Sequence, residues 1–183
     1  MLSRLFWLFA GLALGVMVHA AFVLLLPSVT LKRNFAWLNQ GQDANTFFVL
    51  PTRELRQLFP GYPTQSVLGA CAFDVSRSSV NFTAQIPPGF WTFTVYASSG
   101  QVIYSLNDQQ TGTGNFTVNL TRAPSLLEVL TELAPDDLRT STGWTVSAKD
   151  PRGLAVLWQP VAETAQRAEV VKAFEKTICQ AQS

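Results

Sequence analysis

From Leu5 to Leu26 the chain carries no formal charge, and the apolar run is broken only by Gly11, Gly15 and His19. At about 1.5 Å rise per residue, a helix of that length covers the roughly 30 Å hydrocarbon core of a bilayer, which predicts one membrane-spanning helix. Pro27 removes a backbone donor and, with Lys32 and Arg33 beyond it, marks where the helix leaves the apolar layer. Residues 28–66 lose this pattern. They mix Asn, Gln and Thr with Pro51, Pro60, Pro63 and short apolar patches, and read as an extended arm with a helical turn or two around Arg53 to Leu58.

From Val67 the period changes to two. Leu68 to Val75 and Ser79 to Gln85 are predicted strands, the second alternating Val80, Phe82 and Ala84 with polar partners. The clearest signal is Phe90 to Asp108, where Trp91, Phe93 and Val95 alternate with threonines, Ser98 to Gln101 turns the chain, and Ile103 to Leu106 returns. Asn115 to Arg122 is a further strand with Phe116, Val118 and Leu120 on one face. The period then breaks: Leu126, Leu127, Leu130 and Leu133 share one stripe of a short helix over Ser125 to Leu133. Gly143 to Lys149 and Leu154 to Gln159 suggest a last hairpin around Asp150-Pro151-Arg152-Gly153. Val161 to Ile178 carries Ala168, Val171, Phe174 and Ile178 on one side of a closing helix.

Strands in succession without crossover helices cannot make a parallel α/β sheet. The expected architecture is mainly β: an antiparallel β-sandwich or jelly-roll-like domain over 67–183 with one or two packed helices, preceded by the arm over 28–66 and the transmembrane anchor over 1–27.

Composition narrows the function. The chain is 48% hydrophobic and only 14% charged, which excludes disorder. Thirteen Lys and Arg against twelve Asp and Glu give a formal net charge of +1, so no field exists to hold a nucleic-acid backbone, and no nucleic-acid partner is expected. One His, two Cys and two Met are too few for an enclosed zinc or haem site, so neither metal nor cofactor is expected.

The leader allows two readings. It is an uncleaved anchor by its length, or a cleavable signal ending near Val18-His19-Ala20; both export the remainder of the chain. Arg4 on one side and Lys32 and Arg33 on the other leave orientation a draw by charge counting. His19, polar within the span, reads as a helix-contact residue. Cys71 and Cys179 have no metal-type spacing, and in an exported domain they suggest a disulfide; the alternative is two buried thiols in a cytosolic one.

The residues Leu24 to Pro27 after His19, Cys71-Ala72-Phe73-Asp74-Val75, and the aromatic hairpin from Phe90 to Tyr96 closing on Tyr104-Ser105-Leu106-Asn107-Asp108 carry a resemblance, which Cys179 completes. Over most of its length the chain resembles the bacterial domain-of-unknown-function family twelve-fifty-four in its short membrane-anchored form. That resemblance implies a jelly-roll-like β-domain on the periplasmic side of the inner membrane, in contact with its lipid. It also implies a companion envelope protein from a neighbouring unknown-function family, twelve-fourteen. It implies no reaction. Where relatives are expected to carry a Gly-Pro run after Asp74, this chain has Ser76-Arg77-Ser78-Ser79-Val80.

No catalytic residue is assigned. The single imidazole is expected in lipid, which leaves a serine or cysteine nucleophile without a base. Asp74 and Asp108, both at strand ends, could meet as paired carboxylates, although Asn107-Asp108 is most simply a turn-closing device. Asn81, Asn115 and Asn119 sit in glycosylation sequons that a bacterial source would leave unused, and Gly112-Thr113-Gly114 reads as a turn. The leading expectation is a structural or protein-interaction module of the cell envelope, with Trp91, Tyr104, Asn107, Asp108 and Asp74 as ligand or partner candidates. The competing expectations are a small-ligand or glycan binder with a pocket between two sheets, and a carboxylate-dependent hydrolase.

Overall fold

The computed structural model describes residues 2–41, 43–124 and 143–182. Helix α1 spans Leu2–Gly41. Its segment Arg4–Leu25 has a mean hydropathy of 2.3 and is nowhere buried against the rest of the chain. The backbone stays helical past Pro27, so the extended arm expected over 28–66 is corrected at its start. Leu31 to Leu38 hold no Gly or Pro, and α1 ends only at the helix-breaking Gly41. The helical turns expected around Arg53 to Leu58 are helix α2 (Thr52–Leu58), while strand β1 (Phe47–Val49) ties the region to the first sheet, so it is not a free arm.

The remaining strands form two sheets. Strands β2 (Ser66–Asp74), β4 (Thr92–Ala97), β5 (Val102–Asn107) and β8 (Arg152–Pro160) join β1 in one sheet, ordered β1-β2-β8-β4-β5 and antiparallel throughout. Strands β3 (Val80–Gln85), β6 (Asn115–Arg122), β7 (Trp144–Ala148) and β9 (Ile178–Ala181) form the second, ordered β7-β6-β3-β9. A four-residue helix α3 (Asp108–Thr111) comes directly after β5, and α4 (Thr164–Phe174) precedes β9. The protein is a β-sandwich carried on an N-terminal apolar helix.

The alternation along β3 and β6 places Val80, Phe82, Ala84, Phe116, Val118 and Leu120 between the sheets, where all are buried. Trp91 stacks on Phe116 with ring centroids 4.7 Å apart, and Phe82 lies 4.4 Å from Phe93. Each such ring, fully buried, contributes roughly 1.5–3 kcal/mol. A second apolar cluster covers the outer face of the first sheet: Leu50, Leu55 and Phe59 from the α2 region close over Leu68, Ala70, Leu154 and Val156. Strands β2 and β8 are therefore buried on both faces, which is why Val67 to Phe73 and Leu154 to Leu157 are continuous apolar runs.

Double-sided burial also corrects the expected last hairpin. β7 pairs in parallel with β6 in the second sheet, so the sandwich is not wholly antiparallel, while β8 lies centrally in the first sheet between β2 and β4. The Asp150-Pro151 corner carries the chain from one sheet to the other, with Val75 N–H donating to the Pro151 carbonyl at 2.8 Å. The closing helix is shorter than expected and turned. Val170 and Phe174 face the core, Ala168 and Ile178 are exposed, and Cys179 belongs to β9, whose ladder with β3 captures the chain end. The helix expected over Ser125 to Leu133 lies outside the described residues.

Candidate functional site

At one end of the first sheet, Asp74 closes β2 opposite Arg152, the first residue of β8. Its Oδ1 accepts the Ser76 backbone N–H at 2.9 Å and its Oδ2 lies 3.4 Å from Arg152 Nε. Ser76 thus supplies the turn without a Gly-Pro run. Hydrogen bonding from Ser76 holds the Asp74 carboxyl below the usual carboxylate range against a desolvation that opposes it, and Arg152 and Arg77 add attraction. Asn45, just after α1, accepts Asp74 N–H at 2.8 Å through Oδ1 and donates from Nδ2 to the Asp74 carbonyl at 3.4 Å. The Asp74 carboxylate anchors the strand end, and its backbone groups hold the entry from α1.

At the opposite end, Asn107 caps α3. Its Oδ1 accepts Gln110 N–H at 3.0 Å and Gln110 Oε1 accepts Asn107 N–H at 3.0 Å, a reciprocal capping box. Asp108 opens that helical turn, and its Oδ1 is buried without a partner among the described residues. Asn107 pairs with Thr92, which pairs with Trp158, whereas Asp74 pairs with Arg152. The stretch of β8 from Arg152 to Trp158, at about 3.3 Å per residue, puts roughly 20 Å between those two levels. The expected meeting of Asp74 and Asp108 does not occur, and a carboxylate pair needs a separation below about 10 Å.

Trp91 is 1% exposed, so this partner candidate is core and offers no surface. Tyr104 is half-buried on edge strand β5, its phenol pushed above the usual value by desolvation. On the outer face of the first sheet Phe90 packs edge-on against Trp158, which also meets Tyr62. Burial first, then the Tyr96 hydroxyl 3.5 Å away, raises the Tyr62 phenol far above its ordinary value. His19 lies in the exposed apolar segment of α1, apart from every other candidate.

The space between the sheets is packed with buried aliphatic and aromatic side chains, which speaks against the expected pocket there. Two open depressions lie on the outward polar positions of β3 and β6. One cavity of about 590 Å³ is lined by Thr83, Gln85, Thr111, Asn115, Thr117 and Trp144. A second, of about 510 Å³, is lined by Gln85, Pro87, Asn115, Glu169, Lys172 and Lys176, and shares Gln85 and Asn115 with the first. Sequence reasoning read these positions only as outward polar residues and sequons; the signal available was the density of Thr, Asn and Gln at alternate positions of two adjacent strands. Among the described residues, no group of three or more His, Cys, Asp or Glu is placed to hold a metal ion.

No protein-family model matches the chain, and no curated protein does. Its fold is similar to that of a solved structure, and a second aligns more weakly. The VPA0106 protein of Vibrio parahaemolyticus superposes with a TM-score of 0.59 at 10% identity, over 85% of this chain and 36% of that one. An uncharacterized protein from Burkholderia cenocepacia gives 0.41 at 11% identity, over 81% of this chain and 39% of its own. The chain thus spans little more than a third of either structure. The first similarity establishes the class, a β-sandwich shared with the Vibrio protein, and at that identity it speaks for fold alone.

Proposed function

We propose that this chain is a single-pass protein of the bacterial inner membrane whose β-sandwich stands on the periplasmic side as a docking module of the cell envelope, working by binding rather than by a reaction. The observation that carries the reading is the Arg4–Leu25 segment of α1: it is long and apolar enough to cross a membrane, and no part of it is covered by the domain. Left in water, such a stretch would expose a continuous apolar surface far larger than soluble proteins tolerate, whereas lipid satisfies it.

The Cys71–Cys179 disulfide supports an oxidising compartment. The separation of Asp74 from Asp108, and the position of the chain's single His in α1, speak against hydrolysis. Beyond the apolar segment α1 continues to Gly41, a helical spacer of about 24 Å at 1.5 Å per residue, suited to hold the sandwich clear of headgroups. Membership of family twelve-fifty-four is part of the proposal, and with it a twelve-fourteen companion as the docked protein.

The test is fractionation of epitope-tagged full chain from bacterial cells. We expect it to resist alkaline carbonate extraction, to lose its β-domain to protease added to spheroplasts, and to crosslink in intact cells to a companion envelope protein. Release by carbonate, or a β-domain protected from external protease, overturns the anchored periplasmic reading; a chain that crosslinks to no protein overturns the docking reading.

A further inference from the structure

We propose that the two adjoining cavities on the second sheet form one groove that binds an extended, hydroxyl-rich saccharide chain bearing carboxylate groups. This goes beyond the docking reading and does not depend on the compartment, because the groove belongs to the sandwich itself.

Among the described residues, the part of the groove beside Trp144 has no charged side chain in its lining. It offers hydroxyls and amides, which donate and accept with equal ease, together with one half-buried indole. That combination suits a neutral ligand that is itself donor and acceptor along its edges and has apolar C–H faces, which describes a sugar ring. A lipid chain would leave the Thr, Gln and Asn groups desolvated without partners.

The polar groups are held in place by the sheet. Gln85 pairs across the ladder with Asn115 and Thr83 with Thr117, whose hydroxyl oxygens lie 3.3 Å apart. Between them Ala84 and Phe116 point into the core and fix both strands. Side chains on such rigid central strands lose little on binding.

Past Gln85 and Asn115 the groove runs to the end of α4, where Lys172 on the helix and Lys176 in the turn after it line it with Glu169. Among the described residues neither ammonium takes part in a salt bridge. Two cations against one carboxylate leave a net positive end next to a neutral stretch. The order of groups along the groove is therefore hydroxyl recognition and then anion recognition, which a carboxylated saccharide chain meets and a plain neutral one meets only in part.

The test uses detergent-solubilised full chain and two probes, a galacturonate hexamer and a neutral N-acetylglucosamine hexamer, with binding measured by calorimetry. Both are expected to bind saturably, the acidic one about tenfold tighter, with that advantage lost at high salt. Lys172→Ala with Lys176→Ala should erase the advantage and leave the neutral probe unchanged. Gln85→Ala with Asn115→Ala should weaken both probes about tenfold or more. All four side chains are exposed, so an unchanged melting curve separates lost binding from lost folding. Absence of saturable binding to either probe overturns the proposal. So does acidic binding that is indifferent to Gln85 and Asn115, which would leave a bare anion site.

Discussion

Cys71 in β2 and Cys179 in β9 are bonded across the sandwich, one sulfur from each sheet, and both residues are buried. β9 is four residues long and among the described residues pairs only with β3, so the covalent link is its direct tie to the opposite layer. The bridge closes a separation of 108 residues, a loop long enough for a large entropic effect on the unfolded chain. Replacing both cysteines by Ala should lower stability by about 2–5 kcal/mol. Equilibrium urea unfolding with and without reductant measures it, and a midpoint that moves with neither treatment counts against the structural role.

Asn45 sits at a positive φ of 64° while bonding both backbone groups of Asp74. Asn45→Ala removes the bonds and strains the backbone, at a cost of about 1–3 kcal/mol; Asn45→Gly removes only the bonds and should cost less. Thermal melts of the two variants rank them, and a Gly variant less stable than the Ala variant would contradict the assignment.

Gly153 occupies the point where β8 passes between β4 and β2: a Cβ there would strike the Tyr96 carbonyl and the Phe73 ring. Gly153→Ala should destabilise by about 1–3 kcal/mol, because the nearer obstacle is backbone and cannot rotate away. Gly61, with open space around it, serves as the control, and Gly61→Ala should change stability little. Equal melting temperatures for the two variants would show that the strands part more easily than their burial implies.

The lowered Asp74 carboxyl gives a defined pH dependence. Its native pKa lies below the ordinary 3.8, so its stabilisation is present above that pH and is lost as pH falls through the native value. Asp74→Asn should therefore be less stable than the parent at neutral pH and converge with it in strong acid. The difference should be small, about 0.5–1 kcal/mol, since Arg152 is 65% exposed and solvent screens the pair. Stability curves that stay parallel from neutral to strongly acid pH would assign the effect to packing instead.

Much of this architecture is legible in the order of residues. The alternation of Val80, Phe82 and Ala84, and of Phe116, Val118 and Leu120, specifies strands with one wet face, and the turn at Ser98 to Gln101 joins β4 and β5 where the pattern places it. Asn107-Asp108 was legible only as a turn-closing device; that it caps a helical turn, α3, with Gln110 reaching back, came from the structure. The groove was not legible, because its walls come from α3, β3, β6, β7 and α4, whose proximity depends on strand order.

The amino-acid order alone settled the elements whose cause is local: an uncharged apolar helix, period-two strands and tight turns, each set by neighbouring side chains and backbone sterics. Strand order and register needed the folded chain. The apolar run Leu154 to Leu157 is compatible with a hairpin or a central strand, and only burial of both faces, by the core on one side and the α2 cluster on the other, put β8 between β2 and β4. The same long-range packing carried Asp74 and Asp108 to opposite ends of one sheet, a separation that no count of residues along the chain could reveal.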